Sequence, residues 1–259
     1  MIDIPTAAVF AEVIADPRFP AAVGIALLAG VVRGFSGFGS ALIYIPLMSA
    51  VYGPLVAAPT FVISDVVTGS VFLARTWRLT LWREVLPMAF AAIVAVQFGA
   101  LILQYTHPDI LRWGMSILVV GAVALMASGW RYHGRPKLAV TIAVGLLAGI
   151  LGGAVQISGP PIIVYWFSSG HAAEILRANF FAYFSMFSFA AAVTYALHGL
   201  MTATVLALAV FITPLSILGM ATGTWFFQFA KERAYRVVGY IIALLSAILS
   251  MPLLDRLLH

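Results

Sequence analysis

Apolar stretches of about twenty residues follow one another along almost the whole chain, with charges confined to the gaps between them. Runs such as 85–103 and 240–254 contain no charged residue at all. A segment of ~20 apolar residues is what a helix needs to cross a ~30 Å hydrocarbon layer. Strands of a membrane barrel would instead alternate polar and apolar positions, and these runs do not. A water-soluble fold is excluded by the same pattern, because only 9% of the 259 residues are charged and 63% are hydrophobic. Soluble domains carry roughly 25% charged residues. The sequence therefore predicts an all-α, polytopic membrane protein, whose backbone satisfies its own hydrogen bonds as helices.

Eight units are read between the charge clusters: 20–52, 54–74, 85–104, 110–129, 138–170, 172–198, 204–228 and 236–254. Six have the length of one crossing. The first and fifth run 33 residues each, which as one helix would reach ~50 Å, far beyond the hydrocarbon. Both are interrupted near the middle by glycine, serine and proline. Each is either one long broken helix or a re-entrant hairpin that enters and leaves on one side.

Basic loop residues choose between these, since they collect on the inner face. If every unit crosses once, eight of the thirteen loop cations lie inside and five outside. If units one and five are hairpins and the N-terminus is outside, ten lie inside and only Arg18, Arg112 and Arg256 outside. The hairpin arrangement is the expected one. It places both termini on the extracytoplasmic side. Each half, 1–130 and 131–259, then has one hairpin and three crossings, an odd number of traverses, so the halves are expected to be inverted repeats. Weak internal similarity agrees: Gly39 aligned with Gly159 sets SGFGSALIYIPL beside ISGPPIIVYWF.

The breaks carry the candidate chemistry. Arg33, Ser36, Gly37, Phe38, Gly39 and Ser40 form the first, and Gln156, Ser158 and Gly159 the second. Each break starts a new half-helix near the bilayer midplane, with Ser158 a suitable N-cap and Pro160 and Pro161 suited to a first turn. Two helix N-termini facing one cavity make an anion site. The simpler reading is that the glycines only allow close helix packing. Arg33 and Asp65 are the two ionisable residues clearly at depth, and such residues are functional candidates. They are read either as a static ion pair or as pocket cation and coupling group. Asn179 and Arg177, at the start of the sixth span, are read as a substrate contact and a gate, the alternative for Arg177 being an interfacial snorkel.

With these residues in place the chain resembles the TauE/SafE family of sulfite-exporter-like permeases. GFSGFGSALIYIPLM opens the first half and GLLAGILGGAVQISGPPIIVYW the second. The resemblance implies a transporter of small sulfur-containing or carboxylated anions. Gln156 and Ser158 stand where that family more often has further glycines. The expected function is a secondary anion transporter of the cell inner membrane working by alternating access, with a passive anion or small-solute channel as the alternative.

The expected partners are a small anion and the lipid bilayer, with proton coupling and homodimerisation left open. Nucleic acid is not expected, since the +5 net charge lies in topology-setting loops. The N-terminal segment carries no positive n-region, so no signal peptide is read there. No cofactor or metal is expected: there is no cysteine, and the five histidines have no ligand spacing. Gly34-Phe35-Ser36-Gly37 matches the GxSG of rhomboid proteases, but its nearest base is His198, at the far end of another span. An enzyme is therefore not expected.

Overall fold

A computed structural model describes residues 4–36, 39–128, 137–167, 169, 171–227, 241 and 244–249, and among them the regular structure is helical throughout. Ten α-helices follow in chain order. The first half holds α1 (Ala7–Ala15), α2 (Phe19–Ser36), α3 (Ser40–Tyr52), α4 (Pro54–Thr76), α5 (Trp82–Tyr105) and α6 (Pro108–Ala127). The second holds α7 (Leu138–Val155), α8 (Gly159–Phe167), α9 (Ala173–Leu197) and α10 (Ala203–Phe227), and residues 244–249 are helical too. Most of the expected unit 236–254 lies outside the described residues. Among the described residues five helices are long and apolar enough to cross a membrane, or six if α1 and α2 count as one bent span.

Local chemistry sets the boundaries. Pro54 and Pro108 open α4 and α6 at positions where no N–H is required. Gly53, at φ 84°, makes the tight turn from α3 into α4. Prolines 46, 59, 87 and 214 lie inside helices, as neighbouring helices in a membrane bundle permit. One element was not expected: α1 meets α2 at 85°, an orientation that lays it along the membrane surface if α2 crosses. Phe10 of α1 and Phe19 both pack edge-on against Phe211 of α10. Arg112, expected in an outer loop, is buried near the start of α6.

Both overlong units are hairpins whose two ends meet. At the first, the Arg18 guanidinium lies 4.5 Å over the Tyr52 ring and donates to the Val51 carbonyl, so α2 starts where α3 finishes. At the second, the hydroxyls of Thr141, at the start of α7, and Tyr165, near the end of α8, lie 2.5 Å apart. The arms are unequal. The first arms have 18 residues each, but α3 has 13 and α8 only 9, rising ~20 Å and ~14 Å.

The most extensive packing is between halves: α5 lies along α7, and α10 along α2. Small residues make both seams. A Cβ at Gly145, Gly149 or Gly153 would strike the carbonyls of Met88, Ala92 or Val96, and one at Gly30, Gly34, Gly219 or Gly223 would strike the facing backbone across α2–α10. In lipid, where burial of apolar surface does not drive helices together, such backbone approach supplies van der Waals contact. The packing role for glycine is thus real at these positions, Gly34 included.

Candidate functional site

The chain breaks at two places, and the two breaks meet. Helix α2 runs to Ser36, and Gly39 (φ 90°) sits before α3 as its N-cap in a left-handed conformation that glycine adopts without strain. Helix α7 ends at Val155. Gln156 then takes φ 55°, the one non-glycine residue with positive φ among those described, and its N–H caps the Gly152 carbonyl at 2.9 Å. A Gln in this conformation is strained by contact of its Cβ with the backbone. Its side chain compensates: Nε2 donates to Tyr195 Oη (2.9 Å), whose hydroxyl donates to the Gly153 carbonyl (2.7 Å). The second break is therefore clamped to α9.

A cavity of about 50 Å³ lies between the breaks, room for a few waters or one small solute by the ~10–15 Å³ that a single water requires. Gly39 and Ser40 line it from the first break, and Gln156, Ser158 and Gly159 from the second. Arg33 and Asp65 complete its polar wall together with Ser188 of α9, while Phe61, Phe184 and Phe187 supply apolar faces. Asp65 is the middle residue of α4 (54–76), and Ser188 lies close to the middle of α9 (173–197). The cavity therefore sits halfway along the spans.

One acid anchors it. Arg33 Nη1 is ion-paired with Asp65 Oδ1, and Ser188 Oγ donates to Asp65 Oδ2 at 2.5 Å. Three helices are thus joined: α2, α4 and α9. The arginine is 10% exposed and the aspartate 4%, and Arg33 Nε has no partner among the described residues. Around this triad Ser64 and Thr213 share a hydrogen bond (2.8 Å) that ties α4 to α10.

The helix termini differ in what they offer. The first-turn amides of an α-helix have no intrahelical acceptor, so Ser40 and Ala41 present free N–H groups at the start of α3. At α8, Pro160 and Pro161 have no N–H, leaving Gly159 as the donor of the first three residues. The anion-attracting end is therefore mainly that of α3, reinforced by Arg33.

Of the residues singled out in the sequence, Arg33, Gly39, Ser40, Asp65, Gln156, Ser158 and Gly159 come together at the cavity. Gly37, Phe38 and the side chain of Ser36 lie outside the described residues. Asn179 is fully buried but away from the cavity lining, its Oδ1 accepting from the Leu81 amide at 2.8 Å. Arg177 is exposed, with its guanidinium 5.6 Å from the Phe181 ring centre. Ser188, Phe187 and Tyr195 were not foreseen. Ser188 follows Asp65 by 123 residues, whereas the 120-residue offset that superposes the two breaks points to Ser185 instead, so the internal repeat alone does not single it out. Among the described residues no group of three His, Asp or Glu side chains is placed to hold a metal ion.

Compared with known proteins, the family model for sulfite exporter TauE/SafE matches residues 22–250, most of the chain. No curated protein and no solved structure matches it significantly.

Proposed function

The chain belongs to the sulfite exporter TauE/SafE family, and from that premise we propose that it is a secondary transporter of small sulfite- or sulfonate-type anions whose binding site is the cavity between the two breaks. The observation that carries this is convergence: two helix breaks 120 residues apart, a buried cation and a buried acid all border one mid-span cavity.

The chemistry follows from charge. With Asp65 ionised, Arg33 is neutralised, and a second anion brought beside that carboxylate in a low-dielectric site is repelled. A proton on Asp65 removes the competing charge. Arg33, the α3 amides, Ser40 and Ser158 then face the substrate as donors with one net positive charge. Anion and proton travel together in this scheme, and release of the proton restores the Arg33–Asp65 pair and expels the anion.

Alternating access is proposed to arise from inverted repeats. Supporting this, the two ends of each broken unit meet, and the α2–α10 contact has its counterpart in α7–α5. Exchange of the halves maps one seam on the other, as a rocking mechanism about a central site requires. The inner membrane, with the N-terminal α1 and the C-terminus on the extracytoplasmic side, is the proposed setting.

Reconstitution in liposomes tests the reading. Sulfonate flux that saturates and is driven by an imposed pH gradient is expected, with the pH response lost in Asp65→Asn. Flux that rises linearly with concentration and ignores the gradient would instead identify a passive channel, the reading that paired half-helices also suit.

A further inference from the structure

Four buried hydrogen-bond donors of the second half have no partner among the described residues: Ser185 Oγ and three on residues 0% exposed, Trp166 Nε1, Tyr183 Oη and Asn179 Nδ2. A buried polar group without a partner costs free energy, so such groups are rare. The remaining deeply buried tyrosines do not share the defect. Tyr44 donates to Thr60, Tyr165 is bonded to Thr141, and Tyr195 to Gly153.

The three donors are also aligned. Asn179, Tyr183 and Phe187 follow at four-residue intervals on one face of α9. Phe187 lines the cavity and stacks on Tyr183, at 5.9 Å and 4° between planes. Tyr183 meets the Trp166 ring of α8 edge-on at 6.2 Å, and Trp166 meets Phe180 at 5.3 Å. The row ends at Asn179, whose Oδ1 holds the Leu81 amide. From Ser188 to Asn179 is nine residues, ~14 Å along the helix. Exposed Arg78, Arg83 and Arg177 stand at that end beside Glu174 and the His171-paired Glu84, and the net positive balance raises the local concentration of anions.

We propose that the α8–α9 seam is the closed half of the anion's route between the cavity and this arginine-bearing end, with Trp166 Nε1, Tyr183 Oη and Asn179 Nδ2 as successive donors to a small oxyanion in transit. The inference rests on the cavity being an anion site. Neutral donors suit passage: they replace part of the anion's hydration without the depth of binding that a fixed charge would give. The aromatic rings shut the route in the state seen here. Opening it requires α8, the shortest of the four hairpin arms at nine residues, to shift against α9.

Conservative substitutions test it: Tyr183→Phe removes a donor and leaves the ring, and Trp166→Phe removes a donor and keeps a smaller aromatic ring in the seam. Tyr183→Phe and Trp166→Phe are made singly and together, and three quantities are measured: maximal sulfonate flux in liposomes, sulfonate affinity in detergent, and melting temperature. The expected result is a maximal flux lower by about tenfold to a hundredfold for each substitution, the scale of one lost hydrogen bond to a charged ligand. Affinity at the cavity is expected to be unchanged. Tyr183→Phe is expected to melt no lower than wild type, since it deletes an unpartnered buried hydroxyl, and this separates a transport role from a structural one. Single and double variants with flux within about twofold of wild type, or with losses matched by weaker cavity affinity, would overturn the inference while leaving the transporter reading intact. Wild-type protein that carries no sulfonate would overturn both.

Discussion

The two helix breaks share a plan and differ in chemistry. At the first, the bend is made by glycine (Gly39, φ 90°) and the polar group beside it is a cation paired with Asp65. At the second, the bend is made by a strained glutamine (φ 55°) held by a tyrosine, and no charged side chain takes part. The first break opens a helix with free amides, whereas the second opens on two prolines. The difference separates two tasks that one symmetric site would have to combine. The neutral, clamped break is a rigid wall. In the proposed mechanism the charged one, held by the Arg33–Asp65 pair, is the part that responds to a proton.

Removing charge from the first break should have the largest effect. Arg33→Leu leaves Asp65 buried with Ser188 alone, and loss of one partner of a buried pair costs about 3–5 kcal/mol. Thermal unfolding in detergent should show it, and the double substitution Arg33→Leu/Asp65→Leu should recover most of the loss. Equal melting temperatures for the single variant and wild type would mean that the pair is not buried as described.

Next come the seams that the breaks hang from. Gly149→Leu on α7 and Gly30→Leu on α2 each drive a side chain into a facing carbonyl. Overpacking of this kind costs about 1–3 kcal/mol. Similar losses at the two sites are expected from the exchange of halves, and an effect at only one would break that equivalence.

A smaller effect is expected at the second break. Gln156→Ala keeps the strained φ and loses the bond to Tyr195, for a loss of about 1 kcal/mol. Gln156→Gly loses the same bond but relieves left-handed strain of about 1 kcal/mol, so its melting temperature should stay close to wild type. A Gly variant as unstable as the Ala variant would remove strain from the description of this break.

The smallest effect belongs to the hairpin clasps. Arg18→Ala deletes a pair that is largely exposed, with surface ion pairs worth about 0–1 kcal/mol and screened by salt. Arg18 holds the Asp16 carboxyl below its ordinary range through their hydrogen bonds. With the folded value depressed, the pair's contribution is present at neutral pH and is lost only as the pH falls below the usual carboxylate range. A melting difference between Arg18→Ala and wild type that persists at high salt would contradict a surface role.

Much of this was readable in the chain, because lipid permits so few alternatives. Helix limits such as Pro54, Tyr105 and Leu197 fall within a few residues of the apolar-run boundaries, and glycine and proline inside overlong units marked both breaks. Loop arginines even gave the hairpins, whose closure by Arg18–Tyr52 and Thr141–Tyr165 the coordinates add. Other features were hidden for physical reasons. Ser188 looks like Ser185 in an apolar helix, and only the approach of Asp65 distinguishes it. Gln156 gave no sign of a positive φ, a conformation that its residue type disfavours and that the Tyr195 bond supports. Asn179 was placed with the substrate by residue type, while its carbonyl oxygen is committed to the Leu81 amide. Helix α1 escaped because its short apolar length cannot be told from a loop by hydropathy alone.

The central claim is that a small anion binds between the breaks when Asp65 no longer competes for Arg33. A methanesulfonate titration followed by thermal shift tests it most directly, since this ligand keeps one charge across the working pH range and a ligand of the native state raises stability with the logarithm of its concentration. Wild type should be stabilised more at acidic than at alkaline pH, and Asp65→Asn should be stabilised equally at both. Absence of stabilisation in both proteins, or an undiminished pH response in Asp65→Asn, would contradict it.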